Sequence, residues 1–98
     1  MNIKTERTDG NLTITLEGRL DITTAPYLEA ELNQNLSGVE KLLFDFSSLE
    51  YLSSAGLRVL LSAQKRMNRQ GSMAIRNVRD EIMEVFKRTG FTDILTLE

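Results

Sequence analysis

A chain of 98 residues, 41% of them apolar and 27% charged, has the make-up of one packed domain and too little length for two cores or a cleft between them. Its 14 acidic and 12 basic residues leave a net charge of −2, so no overall field draws in nucleic acid or an anionic membrane. Cysteine and histidine are both absent, which removes disulfides, thiolate nucleophiles, zinc–thiolate sites and the commonest general base, and with them most enzymatic readings.

The first residues lead to Asp9-Gly10, a pair suited to a tight turn because glycine accepts positive φ. Asn11 to Leu16 then alternates polar and apolar residues with the two-residue period of a half-buried strand. The pattern predicts a β-hairpin of Ile3–Arg7 and Leu12–Glu17. Gly18 breaks the second strand, Asp21-Ile22-Thr23-Thr24 offers capping side chains, and Ala25-Pro26 puts proline in the first turn of a helix. Tyr27, Leu28, Leu32 and Leu36 recur at helical spacing as its apolar face, and Ser37-Gly38 ends it. Lys41 to Phe46 is a short, nearly continuous apolar run and predicts a central strand covered on both faces.

Leu57, Leu60, Leu61, Gln64 and Met67 predict a second helix from Ser54 to Arg69, stopped by Gln70-Gly71. Ser72–Arg76 alternates as a strand, Ile82, Val85, Phe86 and Thr89 mark a third helix from Arg79 or Asp80 to Gly90, and Ile94–Leu97 reads as a last strand. The expected fold is α/β over residues 1–98, in the order ββαβαβαβ, with a mixed, mostly parallel five-stranded sheet and helices packed against it. Apolar stretches such as Val59-Leu60-Leu61 fall far short of the roughly 20 residues of a membrane span. Met1 is not followed by a basic-then-apolar leader, so a cytoplasmic protein without direct membrane insertion is expected.

The segment Asp45-Phe46-Ser47-Ser48-Leu49-Glu50-Tyr51-Leu52-Ser53-Ser54-Ala55-Gly56-Leu57 resembles the signature of STAS domains of the bacterial anti-sigma factor antagonist type. That signature is Asp-hydrophobic-Ser-x-x-x-aromatic-hydrophobic-Asp-Ser-[Ser/Ala/Thr]-Gly-Leu. Gly18-Arg19-Leu20-Asp21 resembles a second motif of the family, Gly-x-Leu-Asp, and Thr89-Gly90-Phe91 is similar to its Ser-Gly-Phe, so the resemblance spans nearly the whole chain. It implies a partner that is both anti-sigma factor and serine kinase, which the antagonist sequesters until it is phosphorylated, and a phosphoserine phosphatase that resets it. The lack of His, Cys and any phosphate-cradling Gly-rich loop leads to an expectation of no metal, cofactor or catalytic residue. The resemblance puts the acceptor on Ser54, Asp21 near it, and Asp45 at the end of the strand leading into its loop. Ser53 stands where the family usually has Asp, which removes a negative charge beside the acceptor.

Physical chemistry agrees with this register: a helix start with unpaired N–H groups tolerates a phosphate, which adds about −1.5 to −2 charges. The plainer reading of Ser53, Ser54 and Asp21 is a capping role, and of Asp45 a strand-end contact. Gly56 costs a helix about 1 kcal/mol relative to Ala, so it marks the close approach of another group, from this domain or from a partner. Arg58, Ser62, Lys65, Arg66 and Arg69 share the polar side of the second helix; with Leu57, Thr23 and Thr24 they form the candidate partner surface, unless the stripe is simply solvated. Two other functions compete. One is an unswitched STAS accessory subunit of a lipid-transport ABC system or larger signalling assembly; the other is a hydrolase with Ser54 as nucleophile, for which only Lys65 or a carboxylate could serve as base.

Overall fold

The computed structural model describes residues 1–98 and contains, in order, β1 (Asn2–Thr8), β2 (Asn11–Leu20), α1 (Ala25–Asn35), β3 (Lys41–Leu52), α2 (Ser54–Gln70), β4 (Ser72–Arg76) and α3 (Asp80–Thr89). The strands form one sheet ordered β1-β2-β3-β4, with β1 antiparallel to β2 and the other pairs parallel. Side chains on a strand alternate between faces, and this sorts the sheet. Leu12, Ile14 and Leu16 of β2, Leu42, Phe44 and Phe46 of β3, and Met73 and Ile75 of β4 are all buried. Thr13, Thr15, Leu43, Asp45 and Ala74, which point the other way, are only half-buried. The central strand is therefore sealed on one face rather than on both, because its apolar run is interrupted on the second face by Asp45 and flanked there by threonines.

Phe46 meets Phe44 edge-on with ring centroids 6.0 Å apart and stacks on Phe86 of α3 at 6.4 Å. Leu28 and Leu32 of α1 and Leu60, Ala63 and Met67 of α2 join them in one core of 24 buried apolar residues. The two helices lie side by side: Arg66 Nη1 donates to Asn33 Oδ1 at 2.8 Å. Gln70 Nε2 donates to the carbonyls of Leu36 and Val39 at 2.7 and 2.6 Å. The end of α1 and the loop after it are thus bonded from the last turns of α2, which ties the C-terminal ends of the two helices together.

Three further sequence expectations change. The sheet has four strands, not five: after Gly90 adopts φ 78° and closes α3, Phe91–Asp93 forms a 3-10 turn and Leu95 drops into the core. What remains of Ile94–Leu97 makes only a single bridge, Leu97 to Ile75, so the order is ββαβαβα. Strand β3 runs on to Leu52 instead of ending at Phe46, because pairing with β2 continues through two register shifts and carries Leu49 and Leu52 into the core. Tyr27, read as part of the apolar face of α1, is 69% exposed.

Candidate functional site

The parallel strands β2 and β3 end side by side, Leu20 opposite Leu52, and both helices that follow them start there. Ser53 N donates to Leu20 O at 2.9 Å, which ties the start of α2 to the end of β2. Ser53 itself is extended (φ −97°, ψ 175°), and the first helical bond is Leu57 N to Ser53 O at 3.0 Å. The N–H groups of Ser54, Ala55 and Gly56 precede that bond and have no helical acceptor. Neither a side-chain cap nor an acidic residue in the first turn offsets the positive end of the helix.

The two adjacent serines are placed very differently. Ser53 Oγ is buried and has no hydrogen-bond partner, whereas Ser54 is exposed as the first residue of α2. Gly56 answers the question of close approach from within the chain: a Cβ there would lie 2.7 Å from Leu20 Cγ and 2.7 Å from Leu52 Cδ1. Its missing side chain lets the first turn of α2 lie directly on the two strand ends.

Asp21 shapes the neighbouring start of α1. Its Oδ1 accepts from Thr23 N at 2.9 Å, Thr23 Oγ1 at 2.7 Å and Thr24 N at 3.1 Å. Thr24 Oγ1 in turn donates to Arg19 O at 2.8 Å and accepts from Asp21 N at 2.8 Å. The hydrogen bond from the Thr23 hydroxyl, helped by the backbone N–H groups, holds the Asp21 carboxyl below the usual carboxylate value. Thr23 and Thr24 thus use their hydroxyls to build this turn. Arg19 lies 3.8 Å from the Asp21 carboxylate and stacks its guanidinium 4.2 Å from the centre of the Tyr51 ring.

Between the first turns of α1 and α2 runs a groove of about 320 Å³. Ala25, Pro26, Ala55 and Val59 form its floor, with Ile22 and Glu29 along the α1 lip and Arg58 along the α2 lip. Arg58, Ser62 and Lys65 are exposed, and neither Arg58 nor Lys65 has an ion-pair partner. Arg66 is half-buried and turned toward Asn33. Leu57 is only 6% exposed and belongs to the core, so its side chain offers no contact to a partner.

Asp45 is not brought to this site. It pairs with Thr15 and Arg76, seven positions before Leu52, or about 20 Å along the strand at ~3.3 Å per residue. There its Oδ1 accepts from Ser47 N at 3.0 Å and Asn77 Nδ2 at 3.1 Å, and the Ser47 N–H is the main reason its carboxyl titrates below the usual value. Three exposed apolar side chains complete the site: Ile22 and Tyr27, which lie outside the motifs, and Tyr51, the aromatic of the signature, are exposed by 78%, 69% and 42%. Periodicity does not mark them as exposed: it assigns Tyr27 to the apolar face of α1, and Ile22 and Tyr51 lie outside the helices.

Together these features define a small α/β binding domain that presents one hydroxyl at the start of its second helix. The STAS domain family model matches residues 2–98, and the chain belongs to that family. Within it the chain stands among the anti-sigma factor antagonists. It is 34% identical over 96 residues to BtrV of Bordetella bronchiseptica, a proposed anti-sigma factor antagonist, covering 96% of this chain and 83% of that protein. It is 30% identical over 96 residues to the anti-sigma-B factor antagonist of Listeria monocytogenes, with 95% and 83% covered. The fold matches that of an anti-sigma factor antagonist from Mycobacterium paratuberculosis with a TM-score of 0.88 at 23% identity, over 98% of this chain and 83% of the other.

Proposed function

We propose that this chain sequesters an anti-sigma factor that is also a serine kinase, and that phosphorylation of Ser54 ends the sequestration. The observation that carries the reading is the difference between the two serines: Ser54 Oγ is open to a kinase at an uncapped helix start, while Ser53 Oγ is buried. The free N–H groups of the first turn stabilise an added phosphate, so the fold survives the modification. The complex does not. An unpaired dianion buried in an interface costs a few kcal/mol, and each 1.4 kcal/mol is about tenfold, so the affinity falls by roughly a hundredfold or more. The protein acts by binding, in the cytoplasm where ATP is at hand, and a phosphoserine phosphatase returns it to the binding form.

The exposed side of α2, with Arg58, Ser62 and Lys65, and the turn built by Asp21, Thr23 and Thr24 flank Ser54 and form the docking face in this reading. The test is to incubate the chain with ATP and the serine-kinase anti-sigma factor of its own genome, and to map the phosphate by mass spectrometry. Ser54 is the expected site. Ser54→Ala remains bound and unphosphorylated, and Ser54→Asp binds weakly while folding normally. Phosphate on Ser53, or none with any such kinase, defeats the reading.

A further inference from the structure

Three of the five large exposed apolar side chains lie together, the other two being Met1 and Ile94 near the chain ends. Ile22, Tyr27 and Tyr51 all stand at the end of the molecule where α1 and α2 begin, and Ile22 forms the lip of the groove between them. A groove of about 320 Å³ is at the small limit of ligand sites, which run from about 300 to 1,000 Å³, so it suits a protruding side chain better than a cofactor. Its floor is apolar, but its lips carry opposite charges, Glu29 on α1 and Arg58 on α2, and neither has an ion-pair partner within the chain. Positive charge dominates on the α2 side, where the uncapped helix start and Lys65 add to Arg58.

We propose that this groove is the anchor point of the anti-sigma factor: it receives one bulky apolar side chain from a partner segment whose neighbouring acidic residue pairs with Arg58. The proposal rests on the partner assigned above and adds which chemistry that partner presents and how phosphorylation acts on it. On the α2 side charge complementarity selects an acidic neighbour, since a base beside Arg58 and the start of α2 would be repelled; Glu29 faces the α1 side. Seating a large apolar side chain on Ala25, Pro26, Ala55 and Val59 removes apolar surface from water on both partners, which is how buried anchors come to dominate an interface.

The groove also explains how one modification can act so strongly. Ala55, on the floor, follows Ser54 directly, and Arg58 lies one helical turn beyond it at the i, i+4 spacing at which side chains meet. A phosphate on Ser54 therefore stands one turn from Arg58, takes it as its own counter-ion, and repels the partner's acidic residue that would pair with it. Phosphorylation both adds the repulsion and removes the attraction.

The experiment uses the full chain and the purified anti-sigma factor that phosphorylates it. Ile22→Asp changes a residue 78% exposed, so it leaves the melting temperature unchanged; Ala55→Leu fills the groove from its floor. Each is expected to weaken the complex at least tenfold by calorimetry. A photo-reactive benzoylphenylalanine at position 22 should cross-link to a partner peptide holding a Leu, Ile, Met or Phe beside an Asp or Glu. Wild-type affinity in both variants, or a cross-linked segment without that pair, overturns the groove. Ser54→Asp separates the two levels. If it binds weakly while Ile22→Asp and Ala55→Leu bind normally, the switch stands and the groove is wrong; if wild type itself forms no complex, both fall.

Discussion

Replacing Gly56 by alanine should unseat the start of α2 without touching any polar group. Two effects compete. Alanine is favoured over glycine in a helix by about 1 kcal/mol, which alone would stabilise the variant. Against this, the new methyl carbon would stand 2.7 Å from both Leu20 Cγ and Leu52 Cδ1, and those leucines are 0% and 3% exposed, with no open space to retreat into. Overpacking of this kind costs about 1–3 kcal/mol, and two buried neighbours put it in the upper half of that range. The net loss is about 1–2 kcal/mol, or a melting temperature lower by roughly 4–16 °C for a domain of this size. Thermal unfolding followed by circular dichroism reads the shift, and urea titration should show the same loss at an unchanged slope. A melting temperature equal to or above wild type would mean that helix propensity wins, and that the first turn is not held against the strand ends as described.

Ser53→Ala removes a buried hydroxyl that has no partner, so stability should stay level or rise slightly while Ser54 still accepts phosphate; a large loss of stability would show that the hydroxyl is satisfied after all. The Arg58→Glu, Lys65→Glu double variant reverses two exposed, unpaired charges and should weaken partner binding at least tenfold with little change in melting temperature. Arg66→Glu should instead cost stability, because that side chain bonds Asn33 across the helix pair. Asp45 titrates below its unfolded value, so its contribution to stability is present above pH ~5 and is lost as the pH falls through 4 and below. Asp45→Asn should therefore be less stable at neutral pH and show a shallower decline in acid, measured as urea midpoints against pH.

How much of this could be read in advance depended on whether the signal was local. The helix at Ser54 was legible because Ser53-Ser54-Ala55-Gly56 precedes an apolar spacing that persists for several turns, and because the motif fixed its register. The extent of β3 was hidden by Ser47 and Ser48, which look like turn residues; pairing with β2, resumed at Ser48 opposite Glu17 after a register shift, carries the strand on. That extension is also what carries Asp45 away from Ser54. The last strand failed for a related reason: four mostly apolar residues, Ile94–Leu97, cannot distinguish a strand from a segment that makes a single bridge after a 3-10 turn. The groove left no trace in the sequence. Ala25 and Val59 are ordinary helix residues, and they line a common surface because α1 and α2 pack side by side on the shared core.

The central claim is that a charge on Ser54 breaks the complex while leaving the fold intact. Phosphoserine placed at position 54 during synthesis tests it without depending on any kinase reaction. Calorimetry against the unmodified anti-sigma factor should show affinity at least a hundredfold below that of the serine form, with amide NMR shifts confined to the first turns of α1 and α2. Equal affinity of the two forms would contradict the account, and so would a loss of affinity accompanied by unfolding of the sheet.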